Sequence, residues 1–238
     1  MVLKFTFRGY PSIAFQIPAT FDNFHNLSHI TTVNICLGLG YKAIWLNGPS
    51  GELYTRGECN IVDGTHFTGT AELPRFLSRF DTSRCRRLEI AQYNSIQDPP
   101  TLTVDSSAYR LLRSMSDLRT LTLIEPNNLP FILALDPDEN PDKIVLCPKL
   151  EGITLYTDHL WKFHVNELLS MAEERASRDA KLSTITILSM DTLAPPMEVL
   201  ELGKHVSRVE CKVENTQPTR DTLTGHDRAK DNSQGGRV

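Results

Sequence analysis

The chain of 238 residues has no run that approaches the roughly 18 to 20 consecutive apolar residues of a membrane-spanning helix. Its opening, MVLKFTFRGYPSIAFQIPAT, alternates apolar with polar residues and lacks the continuous apolar centre of a secretory signal, so the expected location is the cytoplasm or nucleus. Positive charge is not in excess either: 25 Lys and Arg face 29 Asp and Glu, for a net charge of −4. That balance supplies no electrostatic footprint for nucleic acid or an anionic bilayer, and neither is expected as a partner. Cysteine is sparse, odd in number and scattered, at Cys36, Cys59, Cys85, Cys147 and Cys211. A disulfide framework is therefore not expected, and the five read as small buried hydrophobes. Asn26-Leu27-Ser28 matches the glycosylation sequon but, without a secretory signal, reads as unmodified.

Assembled chemistry is missing as well. Ser50 in GPSG lacks the intervening residue of a nucleophile elbow, GLG at 38–40 is not completed to a dinucleotide fingerprint, and no phosphate-loop pattern occurs. His25 and His29 stand four apart but have no glutamate between them and no third ligand in reach of the pattern. Cys59, Asp63 and His66 lack the pair-plus-pair spacing of a structural zinc site, and His159 and His164 around Trp161 read as a helix entrance. Asp136, Asp138 and Glu139 lie between prolines without the glycine and distal glutamate of a calcium loop, and read as solvating carboxylates. The expectation is a chain with no catalytic residue, no metal and no cofactor.

What the chain does have is a period. LRTLTLI begins at Leu118, LEGITLY at Leu150 and LSTITIL at Leu182, each 32 residues after the last. Each strand-like run follows a helix-like one: AYRLLRSMSD, then a proline-broken LPFILALDPDENPDK, then HVNELLSMAEERASRDAK. Pro137 and Pro141 limit the second of these to a short helix, because proline lacks the amide donor and clashes with the preceding turn. The last is the strongest helix, with Val165, Leu168, Leu169, Ala172 and Ala176 along one stripe and Glu174 four residues before Arg178. FLSRFDTSR followed by RRLEIAQY starts the series, and PPMEVLELGKHVSRVECKVE ends it.

Before the series, Leu3, Phe5 and Phe7 alternate on one side of RGYP and Ile13, Phe15 and Ile17 on the other, the pattern of a hairpin. A strand through Ile30, Val33 and Ile35 precedes a second hairpin, AIWLNGPSGELYTRG, turned at Gly48-Pro49-Ser50-Gly51. After about residue 215 almost no apolar residue remains to offset the entropy of ordering, so 215–238 is expected to be a disordered polar tail behind one domain spanning 1–214.

Neither a lone strand nor a lone helix buries its apolar face, whereas stacked copies share a parallel sheet and one continuous core. The fold class is therefore α/β: an irregular leucine-rich-repeat-like solenoid with a parallel sheet on one face, helices on the other and N-terminal β-hairpins. Leu121, Leu123, Ile153, Leu155, Ile185 and Ile187 face the helices in this register. On the opposite face Thr122, Thr154 and Thr186 form one row and Thr120, Gly152 and Thr184 another, beside Tyr156. Arg87 and Glu89 flank the rows at one end, and Arg208, Glu210 and Lys212 at the other. Two readings of these rows stand together: solvent-facing residues chosen for β propensity, or a surface that binds a protein.

LxxLxL runs preceded by helices, at a spacing longer than the usual leucine-rich repeat, resemble the irregular repeats of F-box proteins. FDNFHNLSHITTVNICLG, WLNGPSGELY, RFDTSRCRRLEI, LRTLTLIEPNNLPFIL, CPKLEGITLY, HVNELLSMAEERASRDAKLSTI and GKHVSRVECK resemble the C-terminal part of an expanded F-box-like family of mushroom-forming fungi, over most of 1–214. The resemblance implies a substrate receptor whose N-terminal F-box holds the Skp-type adaptor of a cullin ubiquitin ligase while the repeats capture a target. An F-box opens with a helical stretch such as LPxEIL, and MVLKFTFRGYPSIAF reads as strands, so the expected chain is the repeat region without its adaptor-binding half.

Overall fold

In a computed structural model, the chain is described over residues 2–8, 29–38, 41–49, 51–58, 77–78, 80–92, 106–124, 129–157, 164–189 and 197–213. Nine strands join one sheet: β1 (Val2–Arg8), β2 (Thr32–Gly38), β3 (Tyr41–Gly48), β4 (Gly51–Glu58), β5 (Arg87–Gln92), β6 (Thr120–Ile124), β7 (Gly152–Thr157), β8 (Thr184–Ser189) and β9 (Arg208–Val213). Their order is β1-β4-β3-β2-β5-β6-β7-β8-β9. β2, β3 and β4 form an antiparallel meander, and every other pairing is parallel. Four helices occur among the described residues: α1 (Ser107–Arg113), α2 (Leu129–Leu135), α3 (Val165–Ser177) and α4 (Met197–His205). Each connects two successive parallel strands, because parallel neighbours need a crossover that a helix provides.

The molecule is thus mixed α/β with a mostly parallel sheet, as the repeat predicts, and the hairpin of β3 and β4 turns at the predicted Gly-Pro-Ser-Gly. β1 joins the sheet through a partner that the alternation does not specify. Its partner is β4, parallel and distant in sequence, while Ile13, Phe15 and Ile17 of the predicted hairpin lie outside the described residues. Of the predicted helix near 76–80, residues 77, 78 and 80 are described, with Phe80 N–H donating to Leu77 O at 2.9 Å, and the polar tail lies outside the described residues.

The strands alternate between two faces. Leu88, Ile90, Leu121, Leu123, Ile153, Leu155, Ile185 and Ile187 enter one core with apolar residues from all four helices, which places the helices together on that side. Full burial of each such side chain contributes roughly 1.5–3 kcal/mol. A recurring turn delivers the chain into each strand: Cys85 N–H donates to Thr82 O, Leu118 N–H to Met115 O and Leu150 N–H to Cys147 O, at 2.9, 3.2 and 3.0 Å. Cys85, Leu118, Leu150 and Leu182 sit buried at equivalent places.

One carbonyl then accepts two successive amides of the next unit. Arg86 O takes Arg119 N–H and Thr120 N–H at 2.9 and 3.0 Å; Arg119 O takes Glu151 and Gly152 at 2.8 and 3.0 Å; Glu151 O takes Ser183 and Thr184 at 2.8 and 3.0 Å. Thr31 O does the same for Arg86 and Arg87 at 2.8 and 3.2 Å, which brings β2 into the series across a longer insertion. This shared acceptor pins the register of each strand pair, since a slip of one residue would exchange the two faces.

The segment between α2 and β7 is held by buried polar side chains. Asn140 Nδ2 donates to Asp136 O and Ile144 O at 2.8 and 2.7 Å, and its Oδ1 accepts Ile144 N–H at 3.3 Å. Arg175 of α3 is fully buried and donates from Nη1 to Leu146 O at 2.7 Å and from Nη2 to Cys147 O at 3.0 Å. Lys143 and Cys147 take left-handed backbone at φ 54° and 47°, which interrupts regular helical hydrogen bonding along the segment, and Cys147 O also accepts Leu150 N–H at 3.0 Å. Two sequence expectations change here. Asp136 does not solvate the loop: it is buried, its Oδ1 accepts Asp138 N–H at 2.9 Å and its Oδ2 accepts the Ser170 hydroxyl at 3.0 Å. The buried stripe of α3 is Val165, Leu168, Met171, Ala172 and Arg175, with Leu169 and Ala176 only half-buried. Asp179 ends α3 at φ 58°, with Asp179 N–H donating to Ala176 O and Ala180 N–H to Arg175 O, a left-handed cap without glycine.

Candidate strand-face binding surface

Register places the candidate residues in rows across the face opposite the helices. The first row runs Arg87, Thr120, Gly152, Thr184, Arg208, and the second Glu89, Thr122, Thr154, Thr186, Glu210. Nine candidates therefore stand in two adjacent rows, as the 32-residue period requires. Arg87 and Glu89 do not end the face: β2 and β3 extend the first row through Thr32 and Asn47 and the second through Asn34 and Trp45. With roughly 4.8 Å between strands, the four steps from Glu89 to Glu210 span about 19 Å.

The third row contradicts a uniformly open face. It runs Ala43, Cys36, Ala91, Ile124, Tyr156, Leu188 and Lys212. Cys36, Ala43, Ala91 and Ile124 form a second buried apolar cluster against which Trp45 and Tyr156 pack, and Leu188 is buried too. Tyr156, the tenth candidate, thus belongs with an apolar strip and not with the threonines. Exposure grades along the strands: the first row is mostly exposed, the second half-buried, and the third buried except at half-buried Tyr156 and exposed Lys212. Sequence reading missed this because Cys36, Ala43 and Ala91 lie on units displaced from the 32-residue spacing, although the unbroken apolar ends of TLTLI and TITIL carried a hint.

Charges on the face are paired within their own strands. Arg87 Nη2 meets Glu89 Oε2 at 3.2 Å, Lys212 Nζ meets Glu210 Oε2 at 2.7 Å, and Arg208 also pairs with Glu210. The Lys212 hydrogen bond, with Arg208 and Lys212 charges beside it, holds the Glu210 carboxyl below its usual range. A carboxylate kept ionised in this way suits charge recognition better than proton transfer near neutral pH. The threonine hydroxyls between the two carboxylates both donate and accept, and their β-branched side chains have little rotamer freedom to lose. Along the rim where the strands begin, Arg119 pairs with Glu151 at 2.6 Å and Lys149 with Asp117 at 2.5 Å, each pair again 32 residues apart.

Among the described residues no group of three or more His, Cys, Asp or Glu side chains gathers where a metal ion would sit, and no helix is long and apolar enough to cross a membrane. His29 Nδ1 lies 3.6 Å from Asp81 Oδ2, and His164 stands at the N-cap of α3. His25, Cys59, Asp63, His66, His159 and Trp161 lie outside the described residues. Comparison with known proteins finds no matching family model, no matching curated protein and no matching solved structure.

Proposed function

We propose that the chain is a non-catalytic protein-binding scaffold, an irregular leucine-rich-repeat-like solenoid whose strand face captures a protein target. The observation that carries this reading is the in-register stacking of Thr122, Thr154 and Thr186 between Glu89 and Glu210. Stiff hydroxyl-bearing side chains on a fixed lattice lose little entropy when covered and satisfy donors or acceptors of a partner alike. The two rows over five strands cover only about 19 by 7 Å, well short of the roughly 800 Å² per partner of a stable interface. The target therefore also engages the charged rim at Arg119 and Glu151 and the β2–β3 end of the face.

The test is retention of proteins from the native cells by the tagged chain, compared with a Thr154→Asp variant of unchanged melting temperature. Loss of the same retained proteins on Thr154→Asp supports the strand face, and undiminished retention or substrate turnover by the purified chain overturns the reading. The resemblance to the repeats of F-box-like fungal proteins favours a second reading, a substrate receptor of a Skp-cullin-F-box ubiquitin ligase whose F-box lies outside these residues. It predicts that the Skp-type adaptor and a cullin co-purify with the chain, and their reproducible absence would eliminate it.

A further inference from the structure

The β9 end of the sheet is unfinished in three independent respects. β9 closes the strand order, so among the described residues its outer backbone edge has no strand partner. Among the described residues, three of the four large exposed hydrophobics, Met197 at 69%, Leu200 at 61% and Val213 at 50%, belong to α4 and β9. Cys211, on the helix side of β9, is the one exposed free thiol among the described residues, whereas Cys36, Cys85 and Cys147 are buried. An open strand edge carrying an exposed apolar side chain is a template for another strand.

The sequence of this edge specifies which strand. It reads Arg-Val-Glu-Cys-Lys-Val-Glu from 208 to 214, and its charges invert about Cys211. We propose that β9 pairs antiparallel with β9 of a second copy of this chain, with the two-fold axis at Cys211. Glu210 then lies opposite Lys212 of the other copy, Val209 opposite Val213, and Cys211 opposite Cys211. Alternation keeps Glu210 and Lys212 on the threonine face and the valines and cysteine on the helix side, the side on which α4 carries exposed Met197 and Leu200.

Neighbouring registers fail on charge. Centring on Glu210 sets that carboxylate against its own copy and Arg208 against Lys212, and centring on Lys212 opposes two ammonium groups. Registers shifted by half a step place helix-side residues opposite face residues, which the pleat forbids. Charges on an edge strand ordinarily discourage pairing; centring on Val209 or Val213 matches only Arg208 with Glu210 or Lys212 with Glu214, whereas centring on Cys211 matches both Glu210 with Lys212 and Arg208 with Glu214. The closed symmetry limits assembly to a dimer, because the operation consumes the edge it uses.

Sedimentation equilibrium of the full chain, carrying Cys59→Ser so that Cys211 is the reactive thiol, tests the arrangement. A monomer–dimer equilibrium is expected. Lys212→Glu raises the dissociation constant by about tenfold or more, since two symmetry-related pairs turn repulsive, and the double change Glu210→Lys with Lys212→Glu restores it. Copper-phenanthroline in air then joins the copies through Cys211. Each thiol gives up a proton and an electron, dioxygen is the final acceptor, and one S–S bond forms. Cys211→Ser removes the link, and moving the thiol to position 213 lowers its yield because 213 faces 209. A chain that stays monomeric, a dimer indifferent to Lys212→Glu, or a dimer that Cys211 does not cross-link overturns the proposal. Melting curves matching the parent confirm that each variant is folded.

Discussion

Arg175→Met tests how the segment before β7 is held. The guanidinium is fully buried, and burial pulls its pKa below the ordinary value. Removing it deletes the bonds to Leu146 O and Cys147 O; Cys147 O keeps Leu150 N–H at 3.0 Å, whereas Leu146 O loses its donor. A stranded carbonyl costs about 1–3 kcal/mol. Against this, methionine fills much of the volume and removes the desolvation cost of a charge whose Nε already has no partner. The net expectation is a loss of about 1–3 kcal/mol, or roughly 2–12 °C in Tm for a chain of this size. Urea denaturation followed by far-UV circular dichroism measures the loss, and hydrogen exchange locates it at the amides of Ile144 and Leu150. Arg175→Lys, which keeps the charge but not the two-pronged donor geometry, should fall between parent and Met variant. A Met variant as stable as the parent, with those amides equally protected, would refute the reasoning and show that the loop orders itself.

Ile153→Asp removes a side chain that is 2% exposed from the middle of the core and puts an unpaired carboxylate in its place, so the variant should fail to show a cooperative native melt; a parent-like melting curve sinks this expectation. Gly203→Ala should stabilise by about 0.5–1 kcal/mol, because position 203 is exposed within α4 and an added Cβ meets nothing within 4 Å; calorimetry showing a lower Tm would contradict it. Burial pushes the Cys85 and Cys147 thiols up to about 12, so in the native protein iodoacetamide should modify Cys211 long before either, as peptide mass spectrometry would report. The Ser83 hydroxyl lowers the Asp81 pKa, and Lys149 does the same for Asp117. A carboxyl whose folded pKa is depressed stabilises fully above its unfolded value, here 3.8, and loses that contribution as pH falls through the folded value. Denaturation midpoints should therefore drop on acidification below that value and drop less steeply in Asp117→Asn; a pH-independent midpoint would exclude the linkage.

The parts of the fold legible in the sequence are those in which cause and pattern are local. β6, β7 and β8 announce themselves by alternation at a constant spacing, and α3 by its apolar stripe, because each residue's face follows from its neighbours in the chain. The same logic yielded the two threonine rows before any strand partner was known. It failed where a partner is supplied from far away. β1 lies beside β4 and β2 beside β5 across long separations, and no local alternation encodes which strand stands next. It failed also for Asp136, whose carboxylate is satisfied by Asp138 N–H and the Ser170 hydroxyl, and it did not find Asn140 and Arg175, which donate to backbone carbonyls of the same segment. A polar residue looks like surface until the partners that satisfy it are in place.

The candidate surface owes its geometry to the register device more than to its own side chains. Because Arg86, Arg119 and Glu151 each offer one carbonyl to two successive amides of the next unit, the start of every strand is locked to the one before. Variation in the connectors, from the loop of α2 to the long helix α3, is absorbed on the helix side and leaves the strand starts aligned. Glu89, Thr122, Thr154, Thr186 and Glu210 consequently keep one line although the segments between them differ in length and composition. The buried strip of Cys36, Ala91, Ile124 and Leu188 then fixes the inner boundary of that line, and the Arg119–Glu151 and Asp117–Lys149 pairs fix the outer one. On the proposed reading, a partner covering this band also reaches the Arg119–Glu151 rim and the β2–β3 end. Selectivity within the band must come from its ends, where cation and carboxylate stand together, since the threonines at its centre are equivalent to one another.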